Sequence, residues 1–269
     1  MADAVKTALT YLVDTGVKPV TFVSRDDETP RGKTAEYTEY PAEIRNARPC
    51  ETEFTLDKEG FELRRRTTAV KDFFDEDSVK NVYRPELEQF LLEVTGAKEV
   101  VVFDTTIRVE DEGKRALCKV GRPVQRVHND YTDWSAPKRV RELVPADKAE
   151  ELLRGRFTII NVWRPIRGPV ESMPLAICDA RSIAPKDLVP TERRAADRVG
   201  EVQHLTYNPD HRWWYFPKQE VEETTLIKCY DSALDGRARY TAHTGFVDPT
   251  TPAGIADRQS IEARSFVFY

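Results

Sequence analysis

The sequence predicts an all-β core, a sandwich or barrel, carrying helices on its outside. Three observations predict it. Eight short runs rich in β-branched and aromatic residues succeed one another from Glu99 onward, each bounded by Pro, Gly or Asp. Prolines outnumber glycines by 17 to 12, which suits a loop-rich protein better than a helical bundle. At 269 residues the chain is long enough to bury a core without disulfide staples.

In chain order, residues 5–12 read as a short helix, and residues 29–47, rich in Pro, Arg and Glu, as an extended surface segment. Residues 54–63 read as two short strands around a Gly60 turn, with a solvated edge beyond them at Arg64, Arg65 and Arg66. Leu87, Phe90, Leu91 and Val94 recur at helical spacing, with Pro85 suited to the first turn and Gly96 past the end, so residues 85–94 are a helix. Strands are expected at 100–103, 157–163, 174–178, 202–207, 213–216, 224–230, 238–242 and 260–268, with a further one at 122–127. A helix at 147–154 interrupts them, and Arg193 and Arg194 read as a solvated helix face. No repeat or low-complexity tract divides the chain. Residues 1–269 are therefore expected to form one domain, with strands and helices of 1–98 packed on a core of 99–269.

Composition excludes several classes. Lys and Arg number 41 against 46 Asp and Glu, a net charge of -5 with both signs interspersed, whereas a phosphate-backbone binder would be basic. Cys50, Cys118, Cys178 and Cys229 are spread singly with no CxxC pair, so neither a thiolate zinc site nor a disulfide framework is indicated. No stretch approaches the roughly 20 apolar residues of a membrane helix, and the Met-Ala-Asp start lacks a signal-peptide pattern. The expected protein is cytoplasmic, with no nucleic acid and no membrane as partner. Self-association as a homodimer is the expected assembly.

Only four histidines are present, His128, His204, His211 and His243, so any imidazole site can be enumerated. His128-Asn129-Asp130 is an HxD triplet. Residues i and i+2 of a strand face the same way, so the imidazole and the carboxylate can reach one ion. Such a pair plus a second imidazole is the facial triad of non-haem Fe(II) oxygenases. The triplet alone carries little weight, and the residues downstream of each remaining histidine choose the third ligand. Arg258-Gln259-Ser260 begins 15 residues after His243, whereas neither His204 nor His211 has an Arg-x-Ser so placed. A guanidinium beside a hydroxyl suits the distal carboxylate of a 2-oxoglutarate cosubstrate. Alternation puts Arg258, Ser260, Glu262 and Arg264 on one face of the last strand. Two inward arginines need anionic partners, which a dicarboxylate supplies and Glu262 supplies in part. Arg264 is thus expected as a second cosubstrate contact. Asn161, on a core strand with Arg164, is expected to line the same site.

Beyond the triplet, the chain carries Thr95-Gly-Ala97, Val101-Val-Phe-Asp104, Val127-His-Asn-Asp-Tyr-Thr132, Asn161-Val-Trp-Arg-Pro165 and Pro169-Val170. Pro174-Leu-Ala-Ile-Cys-Asp179, His243-Thr-Gly-Phe-Val-Asp-Pro249 and Arg258-Gln-Ser-Ile-Glu-Ala-Arg264 come after them in order. With these segments, spanning about residues 54 to 269, the sequence resembles the Fe(II)/2-oxoglutarate-dependent hydroxylase/desaturase family. That group includes gibberellin desaturases, the small subunit of the 7α-cephem methoxylation system and fungal aspergillic-acid-type oxidases. The resemblance implies a mainly β protein with flanking helices around a double-stranded β-helix, a jelly-roll of cupin-like form. It further implies iron held by His128, Asp130 and His243, 2-oxoglutarate held by Arg258 with Ser260, and O₂ as the other cosubstrate. The implied reaction hydroxylates or desaturates an unactivated C–H bond of a small specialised metabolite. Gly245 stands where the family more often carries alanine, and the first fifty residues carry none of the matching motifs. Two rival readings are a β-helix binding protein without catalysis, which would lack part of the ligand set, and a metal-dependent hydrolase, for which HExxH is absent.

Overall fold

A computed structural model describes residues 3–23, 30–196 and 198–269. Two sheets face each other. The smaller has five strands in the order Phe61–Arg65, Glu223–Asp231, Phe157–Arg167, Gln259–Phe268, Glu99–Val109, all antiparallel to their neighbours. The larger has ten: Ala4–Val13, Glu36–Asn46, Trp213–Tyr215, Leu175–Cys178, His243–Gly245, His128–Asn129, Val199–Leu205, Leu188–Arg194, Val20–Val23 and Pro30–Lys33. This is the expected mainly β jelly-roll with helices at its periphery.

The five-stranded sheet shows why the two faces differ. Helix Arg84–Thr95 lays Leu87, Phe90 and Leu91 against Ile160, Val162, Ile261, Ala263 and Val267. Each of these Leu, Ile, Val and Phe side chains contributes about 1.5–3 kcal/mol when fully buried. Period-2 alternation then turns Asn161, Trp163, Ser260, Glu262 and Arg264 to the other face, toward the ten-stranded sheet. The helix begins with Pro85 in its first turn and ends on Gly96 at φ 67°, whose N–H donates to the Leu92 carbonyl at 3.0 Å.

Several expectations are corrected. Residues 5–12, expected as a helix, lie in strand Ala4–Val13, which pairs rung for rung with Glu36–Asn46. The spacing of Val5, Leu9 and Leu12 fits a helix, but the Thr- and Val-rich run gains a ten-rung partner about 30 residues away, and that tertiary pairing wins. The segment expected at the surface is that partner. The N-terminal portion supplies four strands of the large sheet and one edge strand of the small one. Arg193 and Arg194 lie on strand Leu188–Arg194, not on a helix. Of the two strands expected within 54–63 only Phe61–Arg65 forms, and residues 54–60 turn. Residues 238–242 are not a strand; pairing begins at His243. The run 122–127 makes only an isolated bridge at Arg126.

Candidate metal and cosubstrate site

Three short strands of the large sheet bring three histidines side by side. His128 is the cross-strand partner of His243 on one side and of His204 on the other. Directly opposed residues project from the same face, and the ring centroids accordingly lie 4.5 Å (His128–His243) and 6.4 Å (His128–His204) apart. Asp130, two residues beyond His128, brings Oδ1 within 3.6 Å of His128 Nε2. Among the described residues, His128, Asp130 and His243 are the one set of His, Cys, Asp or Glu whose ligand atoms all lie within 4.8 Å of one another.

The surroundings prepare these atoms for a cation. His128 Nδ1–H donates to the Arg126 carbonyl at 2.7 Å, which leaves the lone pair on Nε2. Burial, reinforced by neighbouring His243 and opposed by Asp130, lowers the His128 pKa to about 3, so the imidazole is neutral. Burial alone would push the Asp130 carboxyl up. Arg264, both histidines and the Asn161 amide outweigh it and hold the group well below the usual carboxylate range. Asp130 Oδ2 accepts from Asn161 Nδ2 (2.7 Å) and Arg264 Nε (2.9 Å), so Oδ1 is the oxygen left for a ligand role. Two imidazole nitrogens and an oriented carboxylate are the donor chemistry that suits Fe(II) and leaves coordination positions open.

Arg258 is buried beside Ser260. It is 4% exposed, with Nε donating to Ser260 Oγ at 3.1 Å and Nη1 to the Met173 carbonyl at 2.7 Å. Its guanidinium lies 5.0 Å from the Trp163 ring centroid. Burial lowers its pKa to about 10, with Glu262 and Glu110 opposing and Arg108 assisting, so it remains charged at neutral pH.

Arg264 and Asn161 lie beside Asp130. They are cross-strand partners on one face, and both reach Asp130. Arg264 also pairs with Asp104 (2.7 Å), Glu262 (2.8 Å) and Thr106 (3.1 Å). Asp130, Asp104 and Glu262 supply the anions that an inward Arg264 requires. Glu262 Oε2 in turn lies 3.9 Å from His243 Nε2. His211 is held apart in a buried chain, bonded to Tyr11 (3.1 Å) and Asp187 (3.2 Å). His204 contacts Tyr37 Oη at 3.4 Å, and its Nδ1 is buried without a partner.

Sequence reasoning missed Glu110, whose carboxylate accepts from the Arg258 backbone N–H at 3.0 Å, and the Met173 carbonyl. Neither carries a local signal, since the first contact spans 148 residues and the second is main chain. Strand pairing was the signal that would have found His204.

A jelly-roll carrying two histidines, a carboxylate and a buried arginine-serine pair defines the class of non-haem iron oxygenases. Comparison with known proteins agrees. A family model described as an oxidoreductase/YMDC permease-like domain matches residues 9–268. The hydroxylase/desaturase efuI of Hormonema carpetanum is 34% identical over 255 residues, covering 87% of this chain and 85% of that protein. The alpha-ketoglutarate-dependent dioxygenase phiK of Fungal sp. (strain ATCC 74256) is 34% identical over 230 residues, covering 81% and 80%. Among solved structures, the iron and alpha-ketoglutarate-dependent endoperoxidase NvfI superposes with a TM-score of 0.88 at 27% identity, covering 99% of this chain and 98% of that one. The chain belongs to the Fe(II)/2-oxoglutarate-dependent hydroxylase/desaturase family. It is a dioxygenase that uses Fe(II), 2-oxoglutarate and O₂, and neither rival reading, binder or hydrolase, is supported. No helix among the described residues is long and apolar enough to cross a membrane.

Proposed function

We propose that His128, Asp130 and His243 hold the iron, that Arg258 with Ser260 holds the distal carboxylate of 2-oxoglutarate, and that the enzyme hydroxylates or desaturates an unactivated C–H bond of a small specialised metabolite in the cytoplasm. The single observation carrying this reading is the convergence of the three ligand atoms within 4.8 Å, with the spare atom of each of the first two ligands already hydrogen-bonded. When bound, Fe(II) with 2-oxoglutarate and O₂ supplies the oxidant for a C–H bond, 2-oxoglutarate leaving as succinate and CO₂.

The chain's own residues bind and orient. Arg258 and Ser260 present N–H and O–H donors from one strand face, and the Trp163 ring covers the guanidinium, keeping water from the charge pair. Asn161 and Arg264 are positioning residues in this reading. They hold Asp130 Oδ2 so that Oδ1 keeps its direction toward His128. Four free cysteines, two of them buried and none paired, fit a reducing compartment.

Anaerobic addition of Fe(II) and 2-oxoglutarate to the purified protein tests the reading. A weak visible charge-transfer band is expected, absent without either component and absent in His243→Ala. A band that survives loss of His243 but not of His204 would reassign the third ligand.

A further inference from the structure

Met173, whose carbonyl receives the Arg258 guanidinium, has φ 44°, in the left-handed region that residues with a side chain rarely enter. A backbone of this kind persists only where its surroundings over-determine it. Here they do. The Val170 N–H donates to the Gln219 carbonyl at 2.9 Å, and Thr251 Oγ1 donates to the Glu171 carbonyl at 2.9 Å. The Glu171 carboxylate pairs with Lys218 (3.0 Å), and the Pro174 carbonyl accepts from the Phe246 N–H (3.2 Å). Ser172 Oγ donates to Glu110 Oε1 at 2.8 Å. Every residue from Val170 to Pro174 is therefore tied to a segment distant in sequence, and Met173 keeps its conformation and the direction of its carbonyl.

Glu110 closes these contacts into a circuit. Its Oε2 accepts from the Arg258 backbone N–H (3.0 Å) and its own N–H donates to the Arg258 carbonyl (2.9 Å). It thus grips the main chain of the residue whose side chain Met173 receives, while its other carboxylate oxygen holds Ser172 beside Met173. The guanidinium is fixed in turn. Nε donates to Ser260 Oγ (3.1 Å) and Nη1 to the Met173 carbonyl (2.7 Å), and bonds from two different nitrogens stop rotation in the plane. The Trp163 ring, with its centroid 5.0 Å away, restricts movement out of it. The other N–H groups remain for a carboxylate. A free arginine side chain has many rotamers and could meet carboxylates at several depths, whereas one held at main chain, Nε and Nη1 meets a carboxylate at one depth only.

We propose that Glu110, Ser172 and Met173 are positioning residues that fix where the Arg258 guanidinium stands relative to the three ligands, and thereby set the length of 2-oxo dicarboxylate that the site accepts. 2-Oxoglutarate is taken in preference to 2-oxoadipate, which is longer by one methylene. The inference rests on the reading of Arg258 as the cosubstrate anchor of an Fe(II)/2-oxoglutarate centre and adds what holds that anchor at its depth. None of the three residues touches the reacting atoms in this account. They act through Arg258.

The full-length protein, loaded anaerobically with Fe(II), is titrated with 2-oxoglutarate and with 2-oxoadipate while the charge-transfer band is followed, and iron affinity is read separately by chelator competition. One methylene is commonly worth about tenfold or more, so the unaltered protein should prefer 2-oxoglutarate by at least that factor. Glu110→Ala is expected to raise the 2-oxoglutarate constant about tenfold and to bring the preference below about threefold, with iron affinity unchanged. Glu110→Gln, which keeps one acceptor oxygen, should fall between. Ser172→Ala repeats the test with a smaller change of structure. Met173→Val puts a β-branched residue at a positive φ and should erode the preference, whereas Met173→Gly, which adopts that φ without strain, should erode it less. A role confined to stability would lower the thermal midpoint and leave the ratio of the two constants in place. Equal binding of the two acids by the unaltered protein would overturn the proposal alone. So would a ratio that persists in Glu110→Ala, Ser172→Ala and Met173→Val, iron lost together with the cosubstrate, or Met173→Gly as damaging as Met173→Val. Absence of the band in the unaltered protein would overturn the oxygenase reading and this proposal with it.

Discussion

At Asp130 each oxygen has its own duty, and single substitutions separate them. Removing the side chain in His128→Ala, Asp130→Ala or His243→Ala takes one donor from a set of three, so each variant is expected to lose iron while keeping its far-ultraviolet circular dichroism. His204→Ala and His211→Ala should retain iron through gel filtration. Metal content by plasma emission spectrometry decides, and retention in His243→Ala would refute the assignment. Arg258→Ala removes a charge-assisted bidentate donor, worth on the order of 2–5 kcal/mol on truncation, so the 2-oxoglutarate constant should rise roughly thirty-fold or more. Gly245 bears on the same group: a Cβ there would stand 3.3 Å from Arg258 Nη1 and 3.2 Å from the Val124 carbonyl. Gly245→Val should therefore also weaken 2-oxoglutarate binding without releasing iron. The nearness of Arg258 to Ser260 and of His128 to Asp130 was legible because a strand period is written in the chain. The Met173 carbonyl that receives Arg258 was not, because main-chain acceptors have no residue code.

Strand Gln259–Phe268 shows what alternation can and cannot predict. It correctly turns Ser260, Glu262 and Arg264 inward, yet inward is not a destination. Arg264 is taken by Asp130 because Asn161, its rung partner on Phe157–Arg167, and Asp104, its rung partner on Glu99–Val109, gather around it. Those neighbours come from strands about 100 and 160 residues earlier, beyond any local pattern. The two arginines should separate in experiment. Arg264→Leu leaves Asp130 held by Asn161 alone, and loss of such an outer partner typically costs about 10–100-fold in metal affinity. Its 2-oxoglutarate constant at saturating iron should stay near the unaltered value, the reverse of Arg258→Ala. A competition assay with a fluorescent Fe(II) chelator, run beside a 2-oxoglutarate titration, reads both. If Arg264→Leu loses 2-oxoglutarate at unchanged iron affinity, Arg264 is the cosubstrate anchor after all.

Across the whole molecule the misread segments share one cause, dependence on partners distant in sequence. Ala4–Val13 is a strand only because Glu36–Asn46 lies beside it, and His243–Gly245 is too short to signal a strand, yet it fixes His243 between two neighbours. That packing also gives the fold a pH dependence. His128, His204 and His211 stand on separate strands or loops, and burial lowers all three pKa values, His128 to about 3. Neutral imidazoles are favoured in the folded protein, whereas in the unfolded chain they titrate near about 6.5. Their contribution is therefore complete above that value and is lost as pH falls from about 6.5 toward the folded pKa values. At pH 5 His128 alone is expected to cost on the order of 2 kcal/mol relative to pH 7. Asp104 and Asp130, whose pKa values are lowered, lose their contribution only below the usual carboxylate range, so between pH 7 and 5 the histidines dominate. Urea unfolding of the metal-free protein at pH 7 and pH 5 should show this drop at an unchanged m-value, and His128→Gln should reduce it. Equal stability at the two pH values would mean that these imidazoles titrate in the folded protein as they do in the unfolded chain, and the lowering of their pKa values by burial would be refuted.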